Sequence, residues 1–114
     1  MTELILIGIL IHLFCDWFLQ NEWMAINKVN PKHVAGYLHA AIHTLGMMFI
    51  FPIWAAILIG ALHWLIDLRF ILAWWRKFYK QTADPNNPAS LHVAFWQDQV
   101  AHIIVIALIS EMIK

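Results

Sequence analysis

Charged residues and cysteine are both scarce in this sequence of 114 residues. Only 12% of the residues are charged, which is about half the share found in ordinary soluble proteins. The basic and acidic residues balance to a net charge of +0, so we expect no nucleic acid or other polyanion as a partner. The single cysteine, Cys15, excludes an internal disulfide and a metal site built from several thiolates.

Apolar residues, by contrast, make up 62% of the chain, against about 45–50% in a typical soluble domain. A soluble domain of this size buries only about 60–70% of its surface when it folds, so much of the apolar surface would face water. A lipid bilayer is the solvent that avoids this exposure. The composition therefore predicts an all-α membrane protein with a single domain over residues 1–114, rather than a soluble enzyme.

Four long apolar stretches are separated by short polar connections or, in one case, by a proline. No basic residue precedes the first stretch, so we expect a retained helix rather than a signal peptide. Ser90 is the expected N-cap of the last stretch. Because each stretch is close to the length that crosses a bilayer, the sequence predicts a polytopic up-down bundle of four transmembrane helices, at about 3–20, 33–51, 53–78 and 91–113.

Lysine and arginine collect at two of the connections, around residues 21–32 and 79–89. Both connections lie on the same side of a four-helix bundle. The positive-inside rule places that side in the cytoplasm, which predicts a bacterial inner-membrane protein with both termini outside. Most of the tryptophans flank the same connections, where they are expected to anchor the bundle at the membrane interface.

Each predicted span also carries two ligand-type residues four positions apart. Residues at i and i+4 lie on the same face of a helix, so each pair can present two donor atoms to one ion. Counted at about 1.5 Å per residue, all eight side chains lie roughly 6–20 Å below the basic side of the bundle. The pairs are His12/Asp16, His39/His43, His63/Asp67 and Asp98/His102.

This set of side chains predicts a metal site. Ionisable residues inside a membrane are expensive to bury and usually mark a functional site. Five imidazoles and three carboxylates suit two divalent ions, with zinc preferred and manganese or iron as alternatives. One of Asp16, Asp67 and Asp98 is expected to act as the catalytic base, and the sequence leaves open which one. The alternative is a hydrogen-bonded network of the same residues that holds the helices together without a metal.

Four further polar residues flank the predicted metal layer. Gln20 and Gln99 could orient a substrate or the metal ligands, and Arg69 and Lys28 could bind a phosphate. The simpler interpretations are interfacial polarity for the two glutamines, snorkelling towards the headgroups for Arg69, and solvent exposure for Lys28. We regard all four as candidate substrate-binding residues.

Taken together, the motifs resemble a known family. They are H-x3-D-W-F-L-Q from His12, then Lys28, H-x3-H from His39, H-W-L-I-D from His63 and F-W-Q-D-Q-V-A-H from Phe95. The pattern resembles, over nearly the whole chain, a family of small bacterial and phage membrane proteins classed as a domain of unknown function. It is similar, more loosely, to inner-membrane proteins regarded as metal-dependent hydrolases. The second resemblance implies hydrolase chemistry by analogy, and neither implies a substrate.

The sequence therefore predicts a membrane-embedded, metal-dependent hydrolase with two metal ions. A site near the interface with basic residues at its mouth favours a lipid or lipid-linked phosphoester, pyrophosphate or amide as the substrate. The alternatives are a di-iron or haem oxidoreductase and a non-enzymatic metal-binding, structural or ion-handling protein. The site is expected to open on the cytoplasmic side of the bilayer, and a homodimer could complete the pocket.

Overall fold

The computed structural model describes residues 2–81 and 86–113. In this part of the chain there is no strand, and the predicted all-α fold is confirmed. The elements are α1 (Thr2–Trp17), α2 (Glu22–Asn27), α3 (Val34–Met47), α4 (Ile53–Asp67), α5 (Phe70–Phe78) and α6 (Pro88–Met112). Helices α1 and α4 each contact both α3 and α6, so the four longer helices close a ring around one interior.

The connection predicted at residues 21–32 contains the short helix α2. Asn21 begins it, because the Asn21 side chain accepts a hydrogen bond from the backbone N–H of Met24 at 2.9 Å, as an N-cap does. Helix α1 ends at Trp17, before the predicted end at residue 20. Met24 is buried and α2 packs against α3, so this segment covers one end of the bundle.

Helices α3 and α4 approach each other closely at Gly60. A Cβ atom placed on Gly60 would overlap the Thr44 hydroxyl and would lie 3.2 Å from the carbonyl oxygen of Ala40. Small residues allow two helix backbones to approach this closely. Helix α3 ends at Met47, earlier than the predicted residue 51, and Pro52 then forms the N-cap of α4.

The single helix predicted over residues 53–78 is wrong, because the chain breaks after Asp67. Arg69 adopts a left-handed conformation with φ 67°, which is uncommon for a residue other than glycine. Helices α4 and α5 consequently meet at a bend of 55°. Neither proline nor glycine marks the break in the sequence. No residue of α5 is buried, so α5 lies along the outside of the bundle.

Helix α6 begins at Pro88 rather than at residue 91, and the predicted N-cap, Ser90, is wrong. The Asn87 side chain accepts from the backbone N–H of Ala89 at 3.1 Å, and proline suits the first helical position because it lacks a donor. Of the helices that the structure describes, α6 is long and apolar enough to cross a membrane, and α4 with α5 forms a second candidate if the bent pair is one span. The four-span topology stays a prediction.

The interior of the bundle has an apolar half and a polar half. The apolar half lies at the end of the bundle away from α2. Among the described residues of the helix segments in this half, Ser110 is the only polar one whose side chain is fully buried. The apolar core consists of Met47, Phe51, Ala55, Ala56, Ile59, Ile106 and Ile109. The polar half lies towards α2 and holds the predicted metal ligands.

Candidate metal centre

Seven of the eight predicted metal ligands are buried together between α1, α3, α4 and α6. None of the seven is more than 7% exposed. They are His12, Asp16, His39, His43, His63, Asp67 and His102. We call these seven side chains the His–Asp cluster. The i, i+4 spacing brings each pair to the inner face of its helix, and the ring of helices brings the pairs together.

One group within the cluster is arranged around Asp16. The Nε2 atoms of His39 and His43 lie 3.1 and 2.9 Å from Asp16 Oδ1, and His63 Nε2 lies 3.8 Å from the same oxygen. One donor atom from each of the four residues lies within 4.8 Å of the others. Donors about 2.0–2.2 Å from a tetrahedral ion lie roughly 3.3–3.6 Å apart. The Asp16 group therefore has nearly the spacing of a four-ligand site.

A second group consists of His63, Asp67 and His102, whose donor atoms also lie within 4.8 Å of one another. His63 Nε2 is 2.9 Å from Asp67 Oδ2, and His102 Nε2 is 3.5 Å from Asp67 Oδ1. Three protein ligands leave one position of a tetrahedral ion for water. Because His63 belongs to both groups, the two candidate positions are neighbours.

The Asp67 group contains buried ligand atoms that make no hydrogen bond. His63 Nε2 and His102 Nε2 are buried without a hydrogen-bond partner. Asp67 Oδ1 also lacks a hydrogen bond, and its nearest cation is Lys28 Nζ at 3.4 Å. Buried polar atoms of this kind call for an ion or a water. Two imidazoles and a carboxylate fit a borderline divalent cation such as Zn²⁺. The residues present therefore fit the metal that the sequence predicts.

The backbone prepares His102 for this role. Its Nδ1 donates to the carbonyl oxygen of Asp98, 2.7 Å away. With the hydrogen on Nδ1, the lone pair of Nε2 is free and points towards Asp67. Metal-binding histidines commonly have their second ring nitrogen held in this way. By contrast, His39 Nδ1 and His43 Nδ1 are buried without partners, so the Asp67 group is the better prepared of the two.

His12 lies in the cluster but outside both groups of candidate ligands. Its Nε2 is 3.2 Å from Asp16 Oδ2 and 3.2 Å from Gln99 Oε1. Both neighbouring atoms are acceptors, so this nitrogen carries the hydrogen and donates it. In this geometry His12 orients Asp16 rather than offering a lone pair to an ion.

A cavity of about 330 Å³ opens beside the cluster, and we call it the entrance cavity. All four candidate substrate-binding residues line it: Gln20, Lys28, Arg69 and Gln99. Asp16 and Asp98 also reach its wall. Asp98 lies outside both ligand groups, its side chain is 19% exposed, and its Oδ1 has no partner. The wall of the entrance cavity therefore contains two cations, Lys28 and Arg69, and a carboxylate, Asp98, with one oxygen that has no hydrogen-bond partner.

A comparison with family models matches residues 4–114 to the family described as "Protein of unknown function (DUF3307)". The chain belongs to this family. Neither a search of curated proteins nor a search of solved structures gave a match. The resemblance to a family of unknown function is thus confirmed. The looser resemblance to metal-dependent hydrolases stays a prediction.

Lys28 and Gln99 lie closer to the carboxylates of the His–Asp cluster than their positions in the sequence suggested. Lys28 is buried, and its Nζ lies 3.4 Å from Asp67 Oδ1, so the interpretation of Lys28 as solvent-exposed is wrong. Helix α2 ends just before Lys28 and carries it over the polar half of the bundle. Gln99 is also buried, and its Nε2 lies 3.5 Å from Asp16 Oδ2 and 3.4 Å from Asp98 Oδ2.

Sequence reasoning missed three residues that line the entrance cavity, the N-cap Asn21 and the α2 residues Glu22 and Ala25. It treated residues 21–32 as a polar connection, and a connection has no defined face. The signal that could have found them was the N-cap at Asn21 followed by Glu22, a pattern typical of a helix start.

Proposed function

We propose that this protein is a membrane-embedded, metal-dependent hydrolase that acts on a lipid-linked substrate with an anionic headgroup. The observation that carries the proposal is the Asp67 group, in which His63 Nε2 and His102 Nε2 are buried without a hydrogen-bond partner, beside a cavity whose wall includes Lys28, Arg69 and Asp98. Metal-assisted hydrolysis needs a metal ion, a general base that activates the attacking water, and a site that binds the anionic substrate.

The outer surface of the bundle supports a membrane setting. Leu10, Leu45, Ile57 and Leu108 lie on four different helices, and each is more than half exposed. An apolar exterior around a polar interior suits a bilayer and is unfavourable in water. Helices α1, α3 and α4 have 16, 14 and 15 residues, which is about 21–24 Å of length. We propose that they cross a locally thinned bilayer.

The same proposal includes the orientation and the location in a bacterial inner membrane. Lys28, Lys32, Arg69 and Arg76 belong to the segments around α2 and α5, at the polar end of the bundle. The positive-inside rule then places the mouth of the entrance cavity at the cytoplasmic face. A lipid headgroup at that interface would meet the cavity without leaving the membrane.

A divalent ion at the His–Asp cluster would activate a water molecule and polarise a phosphoryl or carbonyl oxygen. We propose two ions. His63, Asp67 and His102 would hold the first, and Asp16, His39 and His43 would hold the second, because His63 Nε2 can bind only one ion and lies nearer Asp67. Zinc is the preferred metal, and manganese and iron suit the same donors. In this scheme Asp16 and Asp67 are ligands.

Asp98 is then the carboxylate that remains for proton transfer. It faces the cavity, belongs to neither ligand group and keeps one oxygen unpaired. A base in this position can take a proton from the attacking water and return it to the leaving group. Arg69 is a cation in the wall of the cavity, so it favours an anionic phosphoester or pyrophosphate over a neutral amide.

Iron-dependent oxidation is the second candidate, because a donor set of histidine and carboxylate also suits iron. A haem is less favoured, since the imidazoles pack directly on one another. The ring centroids of His43 and His63 are 3.6 Å apart, and those of His63 and His102 are 4.1 Å apart. This packing leaves no slot for a porphyrin between the cluster histidines.

The test begins with the metal content of protein purified in detergent. Metal-depleted protein is reloaded with zinc, manganese or iron and assayed on lipid phosphates, lipid pyrophosphates and lipid amides in mixed micelles. We expect bound metal, lost in His63→Ala and kept in His92→Ala, whose imidazole lies outside the cluster. Metal-loaded protein that is inert on all three substrates would refute hydrolysis, and iron-dependent oxygen consumption would establish the second candidate.

A further inference from the structure

A second cavity, of about 300 Å³, lies between α5 and the first turns of α6. We call it the arginine cavity, because Arg69 and Arg76 both line it. Leu72 and Leu91 are among the apolar residues of its wall. Liquid water takes up about 30 Å³ per molecule, so the cavity has room for about ten waters, or for a phosphate group with water around it.

The arginine cavity and the entrance cavity meet on one face of α6. Phe95 and Asp98 line both cavities, and so does Arg69. From Asp98 the arginine cavity extends back along this face to Leu91, and the entrance cavity extends forward to Gln99 and the His–Asp cluster. The two cavities are therefore neighbours on the same side of α6, with Arg69 and Asp98 at their junction.

Arg69 stands at this junction in an uncommon backbone conformation. Its φ of 67° is left-handed, a region that glycine adopts freely and arginine adopts under strain. No side chain in the described part of the protein accepts a hydrogen bond from its guanidinium. Backbone strain is typical of functional sites. Strain at a residue whose charged group has no partner within the fold indicates that the group serves a ligand.

Arg76 is the second cation of the arginine cavity, and α6 holds it in place. Its Nη1 donates to Gln97 Oε1 at 3.3 Å, and Gln97 Nε2 donates to Gln81 Oε1 at 2.6 Å. A guanidinium has five N–H donors in a rigid fork, so one bond to Gln97 can orient the group while other donors face the cavity. Arginine binds phosphate through two parallel hydrogen bonds, and Arg69 and Arg76 can reach the same anion because they line the same space.

We infer that the substrate carries two linked phosphate groups and that the arginine cavity binds the second of them between Arg69 and Arg76. This inference rests on the proposed hydrolase function and narrows its substrate to a lipid-linked diphosphate. The terminal phosphate lies in the entrance cavity, beside Asp98 and the His–Asp cluster. A substrate with a single phosphate would occupy the entrance cavity alone and would leave Arg76 without a ligand.

Hydrolysis of a diphosphate gives the two arginines a part in the reaction. The oxygen of a water molecule forms a bond to the terminal phosphorus, and the bond from this phosphorus to the bridging oxygen breaks, with its electron pair going to that oxygen. Asp98 takes a proton from the water and returns it to the phosphate product. The products are inorganic phosphate and the lipid monophosphate. The charge that develops on the leaving phosphate lies between Arg69 and Arg76, and fixed cations at such a position lower the barrier.

The first experiment compares Arg76→Gln with Lys77→Gln, using dodecyl diphosphate and dodecyl monophosphate in mixed micelles. Each variant loses one positive charge, but Lys77 is exposed and lines neither cavity. Arg76→Gln should lower the ratio of kcat/KM for the diphosphate over the monophosphate by about 10- to 100-fold, the effect of losing a charged hydrogen bond. Lys77→Gln should keep the ratio. An Arg76→Gln protein that hydrolyses the diphosphate as efficiently as the original would overturn the inference and leave the proposed function in place.

A third variant, Arg69→Gly, separates the side chain from its backbone. Glycine adopts the left-handed conformation without strain, so this variant should keep its unfolding midpoint. The ratio of kcat/KM should nevertheless fall as it does in Arg76→Gln. An unchanged ratio in Arg69→Gly would overturn the inference, because the second phosphate would then not lie between the two arginines.

The second experiment measures binding and does not depend on hydrolysis. Methylenediphosphonate, a diphosphate mimic that is not hydrolysed, and methylphosphonate are titrated into the purified protein by calorimetry. We expect the diphosphonate to bind about tenfold more tightly or better, and Arg76→Gln, but not Lys77→Gln, to lose this preference. That pattern without turnover of either lipid would refute the proposed function alone. Equal binding of the two probes, or a preference that Arg76→Gln keeps, would overturn the inference even if hydrolysis is real.

Discussion

Replacing Lys28 by methionine should make the protein depend on a metal for its stability. Lys28 Nζ and Asp67 Oδ1 are 3.4 Å apart, and their side chains are only 9% and 3% exposed. At an effective dielectric constant of about 20, the attraction at this distance is about 5 kcal/mol before the desolvation of both charges is subtracted. Breaking a buried pair by removing one partner typically costs about 3–5 kcal/mol, because the other charge is left uncompensated.

A cation bound at the Asp67 group would supply the missing positive charge. We therefore expect Lys28→Met to lower the unfolding midpoint by about 10 °C or more in metal-free protein, and zinc to restore most of that loss. Zinc should stabilise the variant more than it stabilises the original protein, since Lys28 no longer competes for Asp67. Lys32→Met is the control, because Lys32 is exposed and belongs to the same connection.

The assay is thermal unfolding in detergent, followed by tryptophan fluorescence, with chelator and then with added zinc. Bound metal stabilises a fold by about 4 kcal/mol when it is present at 1,000 times its dissociation constant, which is large enough to measure. If zinc raised the midpoint equally in Lys28→Met and in the original protein, Lys28 and the ion would not share Asp67. If zinc raised neither midpoint, the hydrogen-bonded network would be the better account of the cluster.

Three further predictions address the base, the packing and the topology. Asp98→Asn should lower kcat by about 10²–10⁴-fold. The metal content of this variant, measured by elemental analysis, should stay unchanged. A loss of metal would show that Asp98 is a ligand rather than the base. Gly60→Ala should lower the unfolding midpoint because its Cβ meets the Thr44 hydroxyl, and adding Thr44→Ala should recover part of the loss; a midpoint unchanged by Gly60→Ala would contradict this packing. An impermeant thiol reagent applied to cells in a Cys15→Ala background should label Met112→Cys but not Lys32→Cys, and the reverse pattern would invert the proposed orientation.

The convergence of the His–Asp cluster could be predicted because it depends on local geometry. Two side chains four residues apart share a helix face whatever the helix packs against, as His39 and His43 do. Equal depth follows from counting residues along antiparallel helices. Asp98 was the exception, because its position at the edge of the cluster depends on where α5 and α6 meet, and no spacing in the sequence encodes that.

The break after Asp67 and the burial of Lys28 could not be predicted for a related reason. Arg69 is neither glycine nor proline, so a rule based on local propensity continues the helix through it. Lys28 follows a short helix whose direction is set by its packing on α3, which is a tertiary contact. Both features shape the entrance cavity, so the sequence predicted the members of the site better than the access to it.

The apolar half of the bundle has a consequence for bioenergetics. Protons can move along a chain of neighbouring imidazoles and carboxylates such as the His–Asp cluster. If such a chain crossed an energised membrane completely, it would dissipate the proton gradient. Met47 and Ile106 follow His43 and His102 by one helical turn and belong to the apolar core, and the hydroxyl of Ser110 donates to the Ile106 carbonyl at 2.7 Å. This hydrocarbon layer would act as an electrical insulator. In the proposed membrane setting, this layer would let the polar cluster lie inside the bilayer without conducting protons across it.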